Sequence, residues 1–206
     1  MSTVLDRVHG AYVHGRRVRV LARHLAPLLP TGARVLDVGC GDGLLAALIA
    51  QQRPDVHITG IDVLVRPATH IPVERFDGRT IPCADRSVDV VMFVDVLHHV
   101  DDATALLREA ARTTRQAIVI KDHLRDGLLA GPTLRLMDWV GNARHGVALP
   151  YHYWRRQQWH DTAAALGTTI RAWRESLAIY PWPATWLFDR SLHFVARFDL
   201  DAQVSP

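Results

Sequence analysis

The stretch VLDVGCGDGLLAALIA, residues 35–50, constrains the fold of this chain more than any other segment. An apolar run leads into three glycines at positions 39, 41 and 43, and a second apolar run follows them. The first run is typical of a buried strand, and the second is typical of a helix. Glycines between the two allow a sharp turn and a close approach of the backbone to a ligand. The segment therefore predicts a strand–turn–helix unit with a ligand at its turn.

The rest of the chain continues this alternation of strands and helices. Further strands are predicted at 56–63, 73–78, 87–96, 116–123, 168–175 and 192–199, and helices at 16–29, 44–52, from about 102, and at 154–166. Such alternation predicts an α/β fold, a Rossmann-like seven-stranded and mostly parallel sheet with helices on both faces. Because no helix separates the last two strands, the last strand is expected to be antiparallel. We expect one domain over residues 1–206, with an N-terminal helical cover at 1–30.

Composition argues against several classes of protein. A net charge of +3 is small, whereas nucleic-acid binders usually carry a dense basic stripe, so a nucleic-acid partner is disfavoured. No apolar run approaches the ~20 residues that a membrane helix requires. Two cysteines, Cys40 and Cys83, are too few for a disulfide framework. We expect a cytoplasmic protein without a membrane span, and its oligomeric state stays open.

Acidic residues mark the carboxyl ends of the first four predicted strands, at Asp37, Asp62, Asp77 and Asp95. In a parallel sheet these ends lie at one edge, where ligands bind. Asp62 lies 19 residues beyond Gly43, close to the spacing expected of an acid that binds ribose hydroxyls. The turn has the pattern G-x-G-x-G instead of the G-x-G-x-x-G of dinucleotide enzymes. With an acid leading into it, the turn favours an adenosine-containing ligand with a cationic group over a pyrophosphate.

Three segments, VLDVGCGDG, ITGIDV and FDGRTIPCADRSVDVVMFVDVLHHVDD, resemble the successive motifs of class I S-adenosylmethionine-dependent methyltransferases. The resemblance covers about residues 30 to 123 and is strongest to the small-molecule branch that includes the quinone-biosynthesis methyltransferases. It implies S-adenosylmethionine as the cofactor and S-adenosylhomocysteine as its product. The implied cofactor-binding residues are Asp37, Gly39 and Gly41 at the methionine part, Asp62 at the ribose, Val63, Asp77 and Gly78 at the adenine, and Val94 and Asp95 at the cleft floor.

The same resemblance bears on the acceptor. Nucleic-acid amino-methylating enzymes carry a Pro-Pro-aromatic motif where this chain has FVDVLHHVDD, and the paired glutamates of protein-arginine methyltransferases are missing. We therefore expect methyl transfer to an oxygen or carbon of a small metabolite that is aromatic, quinone-like or polyketide-like. Two alternatives stay open. The pI of 9.2 and the many arginines permit an RNA methyltransferase, and a non-catalytic partner subunit that binds S-adenosylmethionine would carry the same acids.

The connection at 124–159 is long for a crossover and is expected to form a lid over the acceptor. His123 is the predicted catalytic base, because it closes the fifth strand and an imidazole titrates near neutral pH. Candidate substrate-binding residues are Tyr12, His98, Asp138, Asn142, Tyr151, Tyr153 and Trp154. The aromatic residues among them could instead pack the lid onto the sheet. We expect no metal site, because no pair of histidines has ligand spacing with a supporting carboxylate.

Overall fold

The computed structural model describes residues 4–142, 152–182, 185, 188–189 and 191–201, with side chains in the first range described from residue 15 to residue 137. The helices within this part of the chain are α1 (Val4–Leu25), α2 (Leu44–Gln52), α3 (Ala103–Thr113), α4 (Ala130–Asn142) and α5 (Arg156–Ala165). The strands are β1 (Arg34–Val38), β2 (His57–Asp62), β3 (Val73–Arg75), β4 (Val88–Val94), β5 (Thr114–His123), β6 (Thr168–Arg174) and β7 (His193–Leu200).

Across the described residues, the seven strands form one sheet in the order β3-β2-β1-β4-β5-β7-β6. Strands β1 to β5 run parallel to one another, and β7 runs antiparallel to both β5 and β6. The predicted fold class and the antiparallel last strand are therefore confirmed. The chain order reverses between β1 and β4, which places a crevice at the carboxyl ends of these two strands.

The sheet is covered on both faces, which explains why its central strands are almost entirely apolar. In β4, Val91 and Phe93 point into a core with Leu106 and Leu107 of α3 and Trp159 of α5. The alternate residues Val90 and Met92 point into a second core, which is built with α1 and α2. Helices on both faces are what the alternation of elements predicts.

The N-terminal helix is longer than the predicted one. α1 begins at Val4, and a short 3-10 turn over Ala26–Leu28, with a proline near its start, follows it. Val18, Leu21 and Leu25 are buried on one face of α1, as their helical spacing predicts. This face packs on α2 and fixes the helix against the sheet.

The predicted lid segment contains a helix, α4, and lies partly outside the described residues. The backbone N–H of Arg125, near the start of the segment, donates to the carbonyl of Trp154, near its end, at 3.0 Å. The N–H of Leu124 donates to the carbonyl of Leu192 at 2.9 Å, just before β7. Both ends of the segment are thus tied to the edge of the sheet. Among the described helices, none is both long and apolar enough to cross a membrane.

Candidate functional site

The glycine turn between β1 and α2 has the conformation that its sequence predicts. Gly39, Gly41 and Gly43 have φ angles of +74°, +61° and +76°, in the left-handed region that favours glycine. A Cβ at position 39 would lie 2.5 Å from the side chain of Val96, and one at position 43 would overlap Ile71. A Cβ at position 41 would meet no described atom within 4 Å. The outer two glycines therefore permit close packing, whereas Gly41 leaves its surroundings open to a ligand.

Two carboxyl groups lie beside this turn. Asp62, at the end of β2, accepts hydrogen bonds from the N–H of Gly41 at 2.8 Å and of Leu64 at 2.9 Å. Asp37 is only 3% exposed, and burial together with the nearby charge of Asp62 raises the pKa of Asp37 to about 8. The structure thus brings together the acids predicted at the first two strand ends. Near pH 7 Asp37 is therefore largely protonated, and a cation bound beside it would favour its ionised form.

The residues predicted to contact adenine also lie together. A Cβ on Gly78, whose φ is +79°, would lie 3.1 Å from Cγ1 of Val63, so these two residues are adjacent. Val63 is 51% exposed, which leaves an apolar surface free. Asp77 accepts from the N–H groups of Thr80 and Arg79, both at 2.7 Å, and these bonds hold its pKa below the usual range. An exposed apolar surface beside an ionised carboxylate suits a purine ring with an exocyclic amine.

Asp95 follows Val94, the last residue of β4, and is held in the left-handed region at a φ of 58°. Its carboxylate forms ion pairs with Arg17 of α1 at 2.5 Å and with Lys121 of β5, whose side chain is completely buried. Burial alone would raise the pKa of Asp95, but the charges of Lys121 and Arg17 outweigh this effect and hold the pKa well below its usual range. The carboxylate is therefore ionised, and it links three elements.

A second buried carboxylate, Asp122, connects two histidines at the same edge. Its Oδ1 lies 2.6 Å from Nδ1 of His98 and also accepts the backbone N–H of His123 at 2.7 Å. Nδ1 of His123 lies 3.4 Å from Nδ1 of His98 and 3.7 Å from Asp95. Burial, and then the charge of Lys121, lowers the pKa of His123 to about 4. The imidazole is therefore neutral near pH 7. It titrates below the neutral range that was expected of it, which makes it a weaker base than an ordinary histidine.

His98, Asp122 and His123 present ligand atoms within 4.8 Å of one another, a grouping that sequence spacing did not indicate. These are ligand types that transition metals prefer. In the described part of the chain, Arg17 and Lys121 both pair with Asp95, whereas Asp122 contacts His98 and His123. The absence of a metal site therefore stays a prediction from the sequence.

The aromatic residues predicted for the acceptor site divide into two groups. The ring of Tyr153 is stacked on His98 at a centroid distance of 5.6 Å and meets His123 edge-on at 5.9 Å. Trp154 instead lies 4.7 Å from Trp159 and packs against the core. The packing interpretation therefore describes the contacts of Trp154. It also applies to Tyr153, which is 4% exposed and packs with Leu134 and Leu192 as well as with the histidines. The side chains of Tyr12, Asp138, Asn142 and Tyr151 lie outside the described residues.

His193 also lies at this edge, and sequence reasoning did not name it as a candidate. It is the first residue of β7 and pairs with His123, the last residue of β5, across the antiparallel ladder. The two rings lie 4.8 Å apart. An antiparallel last strand must begin at the edge where the parallel strands end, so its first residue could have been named as a candidate.

The sheet order and the glycine turn define a Rossmann-like α/β domain, and comparison with known proteins gives the family. Residues 12–172 match the family described as a methyltransferase domain, and the chain belongs to that family. The resemblance noted in the sequence is thereby confirmed.

Two curated relatives carry more specific names. The chain is 34% identical over 110 residues to the 27-O-demethylrifamycin SV methyltransferase of Amycolatopsis mediterranei, covering 46% of this chain and 40% of that protein. It is 40% identical over 98 residues to the ubiquinone biosynthesis O-methyltransferase of Xanthomonas axonopodis pv. citri, covering 42% of this chain and 40% of that protein. The chain thus covers well under two thirds of the length of each of these relatives.

A solved structure agrees with the fold. The S-adenosylmethionine-dependent methyltransferase of Mesorhizobium loti aligns with a TM-score of 0.63 at 18% identity, over 86% of this chain and 96% of that one. At this level of identity the likeness concerns the fold alone.

Proposed function

We propose that this chain transfers the methyl group of S-adenosylmethionine to an oxygen or carbon of a small metabolite with an aromatic, quinone-like or polyketide-like structure. The observation that carries the proposal is a juxtaposition at one edge of the sheet. The glycine turn with Asp37 and Asp62 lies at the same end of the parallel strands as a buried and neutral imidazole, His123. The first part suits an adenosyl amino acid, and the second suits an acceptor that must lose a proton.

The cofactor's parts would be held by different strand ends. Asp62 would accept the ribose hydroxyls, and its hydrogen bond from Gly41 at the open part of the turn supports this role. Val63 and Gly78 would pack on adenine, with Asp77 accepting from its amine. Asp37, with Gly39 and the floor at Val94 and Asp95, would surround the methionine part. When bound, S-adenosylmethionine supplies a methyl carbon made electrophilic by the neighbouring sulfonium.

The acceptor would bind over the histidine cluster, under the segment at 124–159. The site's task is to align the acceptor atom with the methyl carbon and to exclude water. For a phenol or an enol, His123 would accept the departing proton, and Asp122 would stabilise the imidazolium that forms. Tyr153, whose ring meets those of His98 and His123, would supply an aromatic wall.

The relatives support a small acceptor to a limited extent. Two of them are named for methylation of a rifamycin precursor and for ubiquinone biosynthesis, but each alignment covers less than half of this chain. The arginines of α1 keep an RNA substrate among the outcomes to be tested. A partner subunit that binds the cofactor without turnover is a further outcome.

The test uses methyl-labelled S-adenosylmethionine and an extract of the organism that encodes the chain. We expect the label in the organic-extractable fraction, where mass spectrometry can identify the product. Label in acid-precipitable, ribonuclease-sensitive material would contradict the small-molecule proposal in favour of RNA. No label in either fraction, with S-adenosylhomocysteine still bound in calorimetry, would indicate a non-catalytic subunit.

The role of His123 has its own test. His123→Ala is expected to lower the rate of transfer at least about 100-fold, the scale of general-base catalysis, without changing affinity for S-adenosylhomocysteine. His160→Ala is the matched control, because His160 is exposed and packs on Trp173, away from the cluster. Full activity of the His123 variant would exclude it as the base.

A further inference from the structure

His193 is a buried histidine at the edge of the sheet for which the proposed reaction has no role. It is 1% exposed, and its ring lies 4.8 Å from His123 and 5.9 Å from Tyr180. Burial, and then the charge of Lys121, holds the pKa of His193 well below its usual range. The ring is therefore neutral and carries a proton on only one of its two nitrogens.

The contact with Lys121 decides which nitrogen carries the proton. Nζ of Lys121 lies 3.2 Å from Nδ1 of His193 and also pairs with Asp95. Burial lowers the pKa of Lys121, and the charge of Asp95 opposes this effect and favours the ammonium form. An ammonium group can only donate, so Nδ1 accepts and the proton lies on Nε2. The surroundings thus fix the tautomer and make Nε2–H a hydrogen-bond donor.

That donor has no partner among the described residues, although Nε2 is buried. Buried polar groups are nearly always hydrogen-bonded, and an unsatisfied donor is costly. A buried acceptor, Oδ1 of Asp189, also lacks a partner in the described part of the chain. Tyr180 connects the two, because its N–H donates to Oδ2 of Asp189 at 3.2 Å and its ring meets that of His193. Two unsatisfied atoms of opposite polarity along one segment indicate a polar ligand.

We propose that His193, with Asp189 and Tyr180 beside it, forms a polar subsite in which Nε2–H of His193 donates a hydrogen bond to an oxygen of the acceptor. This inference rests on the proposed methyl transfer and deepens it. The ligand is a hydroxyl or carbonyl oxygen close to the atom that is methylated, because His193 and His123 are adjacent on paired strands. A hydroxyl could in addition donate to Asp189.

Two substitutions of His193 test the roles of its two ring nitrogens separately. In His193→Asn the side-chain oxygen can replace Nδ1 as the acceptor from Lys121, but no donor remains at the position of Nε2. In His193→Gln the amide nitrogen can reach the position of Nε2 and restore the donor there. The pair therefore distinguishes a donor to the substrate from a structural partner of Lys121.

The assay measures transfer from methyl-labelled S-adenosylmethionine to a deproteinised organic extract of the encoding organism, over a dilution series. For His193→Asn we expect the extract concentration at half-maximal rate to rise about 10- to 100-fold, the effect of leaving a buried polar partner unsatisfied. For His193→Gln we expect it to stay within about threefold of the unchanged protein. Calorimetry should give both variants the unchanged affinity for S-adenosylhomocysteine.

An unchanged half-saturation for His193→Asn, or equal losses in both variants, would overturn the subsite while leaving methyl transfer intact. If the unchanged protein binds S-adenosylhomocysteine but labels nothing in the organic extract, the proposed function fails first and the subsite with it. Nitrogen NMR of the His193 imidazole can be recorded on the unchanged protein, so this measurement does not depend on whether a variant folds. We expect a protonated Nε2 and an unprotonated Nδ1 in His193, and the opposite tautomer would overturn the inference.

Discussion

At the scale of single residues, folding strongly alters the pKa of Asp37, at the end of β1. Its pKa rises from 3.8 to about 8, first because it is buried and then because Asp62 lies nearby. The folded protein therefore binds a proton here more tightly than the unfolded chain does. By linkage, the contribution of Asp37 to stability is fully present below pH 3.8 and is lost as the pH rises towards about 8.

Asp37→Asn removes this titration while keeping a side chain of similar size. We expect the variant to gain stability relative to the unchanged protein as the pH rises from 5 to 9. Urea denaturation at the two pH values measures the difference in free energy of unfolding. A difference that stays constant between them would contradict the raised pKa of Asp37.

Asp62 tests the assignment of the ribose site. Asp62→Ala is expected to weaken binding of S-adenosylhomocysteine by about 2 kcal/mol or more, since two hydroxyl donors would lose their charged acceptor. Isothermal calorimetry measures the change, and Asp161→Ala, at an exposed position of α5, is the control. Equal affinities in all three proteins would rule out Asp62 as the ribose ligand.

At the scale of elements, α1 is joined to the site as well as to the core. Its apolar face packs on α2, and Arg17 reaches the carboxylate of Asp95 at 2.5 Å. Arg16 also donates to the carbonyl of Ala178, in the segment that leads towards β7, at 3.4 Å. The helix thus contacts both the end of β4 and the segment that precedes β7.

Arg17→Gln removes the charge from this contact. We expect faster hydrogen exchange of the α1 backbone in the variant, because an element that loses its anchoring contact opens more often. Arg23→Gln, at an exposed position of the same helix, should leave the exchange unchanged. If the two variants exchange alike, the ion pair with Asp95 does not anchor α1.

At the scale of the whole molecule, two cores share the same central strands. Residues of β4 alternate between them, with Val91 and Phe93 in one and Val90 and Met92 in the other. Loss of either core would expose the face of β4 that it covers and would weaken the strand that both cores share. The two cores should therefore unfold together. This arrangement supports the expectation of a single domain.

Urea unfolding followed by tryptophan fluorescence and by far-ultraviolet circular dichroism tests that expectation. We expect the two transitions to coincide, as in a two-state reaction. Saturating S-adenosylhomocysteine should raise the midpoint of both curves equally, because the ligand binds only the folded protein. Two separate midpoints would contradict a single cooperative unit.

Much of the fold was predictable because its signals are local. Glycines 39, 41 and 43 were expected in a tight turn, and their positive φ angles agree with that expectation. Boundaries were less certain: β3 ends at Arg75 although a strand was predicted to 78. The N–H of Phe76 still donates to the carbonyl of Asp62, so one hydrogen bond between these two segments continues beyond the end of β3.

The sequence by itself determined the order of strands and helices, the glycine turn and the acids at the strand ends. These depend on residue type, on periodicity and on the rule that parallel strands end at one edge. Only the tertiary structure decided which side chains meet there. Arg17 contacts Asp95 from 78 residues away, and Lys121 contacts His193 from 72 residues away. Such contacts arise from the docking of α1 and the antiparallel pairing of β7. No local sequence pattern indicates which distant charged groups will meet in the folded protein.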